Sequence, residues 1–398
     1  MNNYFINFAK SCFMKHYFSS DFTLGILGGG QLGKMLLYET RKYDIRTAVL
    51  DPGAEAPCRI ASNSFQQGDL MDYQTVLEFG RQADVITFEI EHVNVDALEA
   101  LENEGKKVYP SSATLRTVQD KGVQKAFYQS HDLPTAPFVL LKNRQQLHQA
   151  VESKRIALPF VWKSTRGGYD GRGVRVVRNQ PEILSLPDVE CMTEPLVPIE
   201  KELAVIVARN PQGQIKTYPV VEMEFHPTAN QVEYVLCPAR IAPEISEKTR
   251  AIASRVSDAF SHVGLLAVEL FLTGDGDILI NEVAPRPHNS GHYTIEGSYT
   301  NQFEQHLRAV LGLPLGETKS KAAAVMVNLV GEKNHQGAVK YQHIEDIMTM
   351  PGVIPHIYGK KETRPFRKMG HVTIINDDVN QARSIAEKVK NIIRVIAD

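Results

Sequence analysis

The sequence predicts a multidomain protein of mixed α/β and α+β class, a parallel-sheet unit first and a mainly antiparallel sheet after it. Three observations lead there. The chain has 398 residues, 43% hydrophobic and 23% charged, an ordinary globular composition on a chain too long for one small core. Short apolar strands alternate with helical segments from about Phe22 to Ser111, the pattern of a parallel α/β layer. Beyond the breaker-rich joint Leu133–Pro137, Ile156–Val177 reads as two strands around a glycine-rich turn and Leu265–Val283 as a hairpin, which is antiparallel patterning.

In chain order, Phe22–Leu27 is a strand that runs into Gly28–Gly33, and Lys34–Glu39 continues as helix. Thr47–Leu50 is a second buried strand, closed by Asp51, Pro52 and Gly53. Asp84–Glu89 and Lys107–Tyr109 are further strands, with helices around Tyr73–Gly80 and Val95–Asn103. Gln119–Ser130 reads as one helix. Glu202–Val207, Tyr218–Val221, Leu265–Leu272 and Asp277–Val283 make the second sheet, with a helix over Ser246–His262. The tail adds strands near Ala323–Leu329, Gly352–Tyr358 and His371–Ile375, then a helix from about Val379 to Ala397.

Net charge is −2, so the chain has no electrostatic bias toward nucleic acid or an anionic membrane. No apolar run reaches the roughly 18 residues of a membrane span. Cys12, Cys58, Cys191 and Cys237 are far apart and form no C-x-x-C pair, so reduced thiols and a cytoplasmic setting are expected. Met1–Ser20 is rich in Phe and Tyr, carries Lys10 and Lys15, and has no acid before Asp21. It lacks an apolar core ahead of a small-residue cleavage site. An upstream extension, disordered and with Met14 as an alternative start, is expected over a weak targeting sequence.

Five stretches carry chemistry. Gly28-x-Gly30-x-x-Gly33 lies between a strand and a helix, where backbone N–H groups and the helix dipole suit an anion. Asp51 sits about where a dinucleotide-binding fold keeps its ribose acid; a plain packing turn is the alternative. Lys163 closes an apolar strand, and Gly167, Gly168, Gly171 and Gly173 make the next loop pliable enough to cover a polyphosphate. Tyr169, Asp170 and Arg172 add directional groups there, and a mobile surface hairpin is the alternative. Folding Leu265–Leu272 onto Ile278–Val283 brings Glu269 beside Asn281 and Glu282, an oxygen-donor set suited to magnesium. A one-residue slip would turn a side chain to the other face, and a solvated acidic face is the alternative. Pro285–His292 follows as a dense polar run. The basic residues between His356 and His371 suit a phosphate or a solvated charged hairpin. Neither histidine-bearing run reads as a metal site.

With those residues in view, the sequence resembles the ATP-grasp superfamily and, within it, the N5-carboxyaminoimidazole ribonucleotide synthases of purine biosynthesis. The resemblance runs from about Phe22 to the C-terminus and rests on GGGQLGKM (Gly28–Met35), TFEIEH (Thr87–His92), GGYDGRG (Gly167–Gly173), NEVAPRPHNSGH (Asn281–His292) and YGK…RKMGH (Tyr358–His371). It implies an ATP-grasp fold with a Rossmann-like domain over 22–116, a lid with its linker helix over 117–192, a catalytic sheet over 193–318 and a β-rich subdomain over 319–398, after an extension over 1–21. It implies ATP, magnesium and bicarbonate, a carboxyphosphate intermediate, carboxylation of aminoimidazole ribonucleotide, and a homodimer.

By the same resemblance, ATP would meet Arg116, Lys163, the loop Gly168, Tyr169, Asp170, Gly171, Arg172 and Gly173, the adenine hinge Glu194, Pro195, Leu196 and Val197, and then Glu202, His226, Asn281 and Glu282. Glu269 and Glu282 would hold magnesium. The imidazole ribonucleotide would meet Gly30, Gln31, Glu89, His92, Tyr169, Arg286, His288, Lys360 and Arg367. Asp170, Arg172, Lys360 and Arg367 would carry the chemistry, with Asp170 first for proton handling. The family does not need the extension before Phe22, and Val174 stands where a polar residue is common.

A formate-dependent glycinamide ribonucleotide transformylase or a biotin carboxylase would keep the acidic hairpin, but the tail YGK…RKMGH argues against both. A nicotinamide oxidoreductase would use the first glycine loop and Asp51 and leave the other motifs idle. A catalytically silent nucleotide-binding regulator would have no need of the acids, Lys163 and the lid loop.

Overall fold

In a computed structural model of the chain, residues 16–167, 173–229 and 231–398 are described. Most of the predicted extension lies outside them. Its last part, 16–21, forms a turn that packs Tyr17 edge-on against Phe22 at 6.3 Å.

Five strands make a wholly parallel sheet in the order Ser64–Gln67, Thr47–Asp51, Leu24–Leu27, Val85–Phe88, Lys107–Val108. Leu24–Leu27 is buried at every position, as a strand covered on both faces must be. The chain builds outward from it on one side, then returns to its other side, so the switch point lies between Leu24–Leu27 and Val85–Phe88. Gly28–Gly30 and Glu89 follow those two strands and share the crevice there. The edge strand Ser64–Gln67 escaped sequence reading because only Phe65 in it is apolar and its other positions are exposed.

A four-stranded antiparallel sheet follows, in the order Val139–Leu141, Cys191–Pro195, Phe160–Ser164, Val174–Val177. Phe160 and Trp162 turn into a core with Leu147, Ile183 and Leu186. Side chains alternate along a strand, so Lys163 emerges on the opposite face from Trp162. Glu194 shares that face, two positions from Met192, the cross-strand partner of Lys163.

The largest sheet has nine strands and is antiparallel throughout. Ile278–Ala284 lies at one edge, followed by Gly264–Thr273, Ile199–Arg209, Val221–Phe225 and Val232–Cys237. The tail strands Ala323–Val330, Lys368–Asn376 and Val353–Ile357 join the same sheet, which therefore continues across residue 319. The helix Pro243–Phe260 covers the face formed by Leu203, Val205, Leu266 and Val268.

The helix expected over Gln119–Ser130 forms as Lys121–Ser130, and two other expectations are corrected. Ahead of that helix lies a separate one, Ser112–Val118, that the sequence reading did not place. Asp120 divides them, and its side chain caps the second by accepting from the amides of Gly122 and Val123. The strand placed at Tyr218–Val221 starts at Val221 and runs to Phe225; Pro219 has no N–H for a ladder, and Tyr218 is buried with its hydroxyl donating to Thr300 O at 2.8 Å. The terminal helix stops at Ile392, and Arg394–Ile396 pairs with Lys340–Gln342. Ile393 and Val395 are buried while Arg394 is exposed, a strand's alternation. Among the described residues no helix is long and apolar enough to cross a membrane.

Candidate active site

The acidic hairpin forms with a feature the sequence did not reveal. Glu269 pairs directly with Glu282, but Leu270 pairs with Ile280, so Asn281 is the extra residue of a β-bulge. A regular strand would send Asn281 and Glu282 to opposite faces; the bulge lets both serve one side. Thr135 pins it from the linker. Its hydroxyl donates to Ile280 O at 2.8 Å, and Ile280 N donates to Pro134 O at 2.8 Å. Glu202 joins the same face, since Ala204, two residues on, is the cross-strand partner of Glu269.

Three carboxylates on one face must be compensated. Burial first, then the negative charges of Glu282 and Glu202, push the Glu269 carboxyl well above the usual range. Burial raises Glu202 to about 7, with Lys163 opposing and Glu282 adding to the shift. Glu282 moves the other way, chiefly because the Lys121 ammonium contacts its carboxylate. Although 42% of the Glu282 side chain is open, it opens into a cleft walled by Lys121, Lys163 and Asn281, where neighbouring charge governs it.

Lys163 Nζ donates to Asn281 Oδ1 at 3.0 Å and pairs with Glu194 Oε2 at 2.7 Å. Lys125 pairs with the other oxygen of Glu194. Lys121, Lys125 and Lys163, with Gln124 and Met192, therefore line one small polar cavity with Asn281 and Glu282. Lys121 and Lys125 were missed in the sequence, though their i, i+4 spacing just after a capping Asp puts both on one helix face. Glu194, expected at the adenine hinge, turns its side chain inward and is 5% exposed. Pro195 and Leu196 beyond it are exposed and Val197 is half-buried.

At the switch point the glycine-loop amides are taken by acids. Glu89 accepts from Gly30 N at 2.9 Å and Gly33 N at 3.3 Å, and Asp51 accepts from Gly29 N at 2.7 Å and Gly53 N at 2.7 Å. Asp51 thus braces the loop, which leaves the dinucleotide alternative without its ribose acid. Gln31 begins the helix Gln31–Lys42, and His92 is exposed beyond Glu89. Arg286 reaches this crevice from the large sheet and pairs with Glu91 at 2.8 Å.

Burial raises the Glu89 carboxyl from 4.5 to about 7, against the Gly30 amide and Arg286, which lower it. Between those values the folded state holds a proton that the unfolded chain has released. Stability therefore falls as pH rises through that window, by about 3 kcal/mol from this group. Glu89→Gln is expected to remove that share when urea unfolding is compared at pH 5 and pH 8; an unchanged pH dependence would contradict it.

The remaining predicted residues divide. His288 Nε2 lies 3.6 Å from Glu269 Oε1. Lys360 Nζ donates to Lys368 O at 2.8 Å, and Lys368 adds positive potential at Glu269. His226 Nδ1 accepts from the amides of Thr228 and Ala229, and its ring meets Phe366 edge-on at 5.7 Å. Arg367 donates to Glu362 O at 2.6 Å. Arg116 is not drawn into the lysine cluster: its guanidinium pairs with Asp96 at 2.9 Å and Glu99 at 2.7 Å, two acids on the preceding helix. Gly168, Tyr169, Asp170, Gly171 and Arg172 lie outside the described residues, and Gly173 resumes the chain with φ +78°.

A divalent cation fits the donors present. Glu269 and Glu282 face each other across the ladder with the Asn281 carboxamide beside them, all oxygen donors. Among the described residues no group of three His, Cys, Asp or Glu side chains forms a protein-only metal site; magnesium, which keeps water and phosphate oxygens in its shell, needs only one or two carboxylates.

Three family models match the chain: a ribonucleotide synthetase preATP-grasp domain over residues 22–119, an ATP-grasp domain over 126–303, and a phosphoribosylaminoimidazole carboxylase C-terminal domain over 324–385. The chain is 38% identical to the N5-carboxyaminoimidazole ribonucleotide synthase of Bacillus subtilis, covering 88% of this chain and 91% of that protein. It is 39% identical to the chloroplastic phosphoribosylaminoimidazole carboxylase of Vigna aconitifolia over 92% of this chain, but spans only 66% of that longer protein. A crystal structure of N5-carboxyaminoimidazole synthase from Aspergillus clavatus, in complex with ADP and 5-aminoimidazole ribonucleotide, superposes with a TM-score of 0.85 at 31% identity, covering 94% of this chain and 98% of that one.

Proposed function

The chain belongs to the N5-carboxyaminoimidazole ribonucleotide synthase family, and from that premise we propose that it carboxylates the 5-amino group of aminoimidazole ribonucleotide at the expense of ATP, in purine biosynthesis. It is an ATP-dependent carbon–nitrogen ligase of the ATP-grasp fold. The observation that carries this is the bulged hairpin, which gathers Glu269, Asn281 and Glu282 within contact of two lysines.

Bicarbonate oxygen attacks the γ-phosphorus of ATP and ADP leaves, giving carboxyphosphate. The amine nitrogen then attacks the carboxyl carbon, phosphate leaves, and the amine loses a proton. Neither step needs a covalent nucleophile from the protein; both need charge neutralised and reactants aligned. Lys163 and Lys121 supply positive charge to the phosphates, and Asn281 holds Lys163 in place. Glu269 and Glu282 would hold magnesium, which when bound neutralises phosphate charge. Glu202 takes the ribose, the backbone of Pro195–Val197 takes the adenine, and the lid loop through Gly173 excludes water from the labile intermediate. Gly30, Gln31, Glu89, Arg286, His288, Lys360 and Arg367 form the ribonucleotide and bicarbonate side, and Asp170 handles the amine proton. A cytoplasmic homodimer belongs to the same proposal.

Phosphate release measured with ATP, magnesium and bicarbonate is expected to rise at least about tenfold on adding aminoimidazole ribonucleotide. Turnover indifferent to the ribonucleotide would overturn the proposed function.

A further inference from the structure

The imidazoles of His356, His371 and His292 stack in one column. The ring centroids of His356 and His371 are 4.4 Å apart at 12°, those of His371 and His292 4.6 Å apart at 21°, and Phe303 extends the column beyond His292 at 5.9 Å. His356 and His371 are cross-strand partners in the tail of the large sheet, whereas His292 ends the polar run that carries Arg286 and His288. The column therefore crosses from the C-terminal strands to the catalytic hairpin's loop.

Two rings of the column, His371 and His292, are tied to residues of the proposed site. The Tyr358 hydroxyl meets His371 Nδ1 at 3.1 Å, and the Tyr358 ring lies 5.5 Å from the ammonium of Lys360, two residues on. At the neighbouring ring, the Gln302 amide nitrogen lies 3.0 Å from His292 Nδ1. The same side chain accepts from His288 N at 2.9 Å and donates to His288 O at 2.8 Å. One continuous path of rings and hydrogen bonds thus joins Lys360 to His288.

We propose that His371 is a positioning residue which registers Lys360 against His288 for the carboxyl-transfer step; this rests on the function proposed above. His371 is 0% exposed, and its Nε2 has no hydrogen-bond partner among the described residues. The two flanking rings and the Tyr358 hydroxyl hold its orientation. Turning the ring would strip the buried Tyr358 hydroxyl of its partner, which a buried polar group tolerates poorly. Burial also holds His371 and His292 below the usual histidine range, so these two rings stay neutral against each other. A registration fault here would leave carboxyphosphate formation intact, because the lysine cavity with Asn281 and Glu282 lies on other contacts. It would let the intermediate meet water before the amine, giving bicarbonate and phosphate.

The test is the ratio of ADP formed to carboxylated ribonucleotide formed. Wild type is expected at a ratio of one. His371→Ala is expected to lower product formation by about tenfold or more while ADP formation continues, which raises the ratio to about ten or above, and to leave the KM for ATP within about twofold. Tyr358→Phe keeps the ring and removes only the hydroxyl, so it serves if the alanine variant does not fold, and it is expected to raise the ratio less. A ratio of one in folded His371→Ala, or in Tyr358→Phe, overturns the inference whatever the rate. A wild-type protein with no ribonucleotide-dependent ATP turnover overturns the proposed function itself, and the inference with it.

Discussion

Glu282→Gln is expected to lose ATP turnover by roughly three orders of magnitude in kcat, about 4 kcal/mol of transition-state stabilisation, while remaining folded. The substitution keeps the side chain's size and one oxygen, and removes the charge. That charge faces Lys121 on one side and Glu269 on the other. Removing it relieves the repulsion that raises Glu269 and costs Lys121 its partner, two opposed changes that leave stability nearly unaltered. Binding of ADP measured by calorimetry should lose most of its dependence on magnesium. The thermal melt should stay within a few degrees of wild type, a shift of about 1 kcal/mol or less. Near-normal turnover in the variant would remove Glu282 from the metal site.

Lys163→Met should follow with a loss of about a hundredfold in kcat/KM for ATP, about 3 kcal/mol. Lys163 is 8% exposed, and methionine has the length and flexibility to fill its path. What disappears is the ammonium shared by Glu194 and Asn281. Lys125 still pairs with Glu194, so the buried carboxylate is not left bare and the lid should fold. Asn281 loses its donor and its orientation. Steady-state kinetics with varied ATP check the expectation; a change confined to the ribonucleotide KM would place Lys163 on the wrong side of the site.

Much of the site was legible because its residues lie in short, chemically distinctive runs. Glu269, Asn281 and Glu282 are separated by a single tight turn, so hairpin closure predicts that they come near one another, though not that Asn281 and Glu282 share a side. The parallel sheet was legible from buried apolar strands alternating with helices, as was the helix Pro243–Phe260. Glu194 was the instructive partial case. The resemblance placed it at the adenine hinge, but no strand was read there, and the pleat of Cys191–Pro195 turns its side chain toward Lys125 and Lys163 while the residues beyond it face outward. Arg116 shows what sequence does not read, the ion pairs that a basic residue makes with Asp96 and Glu99 on the preceding helix. The edge strand Ser64–Gln67 had no apolar alternation to read, because an edge strand needs backbone pairing more than burial.

By itself the sequence determined the classes of local structure and the chemistry of each motif: the glycine turn after a buried strand, the lysine before a pliable loop, the three oxygen donors around one hairpin. These depend on residues close together in the chain, where periodicity and turn chemistry act. The tertiary structure alone decided the bulge at Asn281, the pairing of Glu282 with Lys121 from 161 residues away, the occupation of the glycine-loop amides by Glu89 and Asp51, the continuation of the large sheet into the tail, and the column of His356, His371 and His292. Each depends on which distant segments pack together. There, burial and charge compensation choose among partners that are equivalent in local sequence.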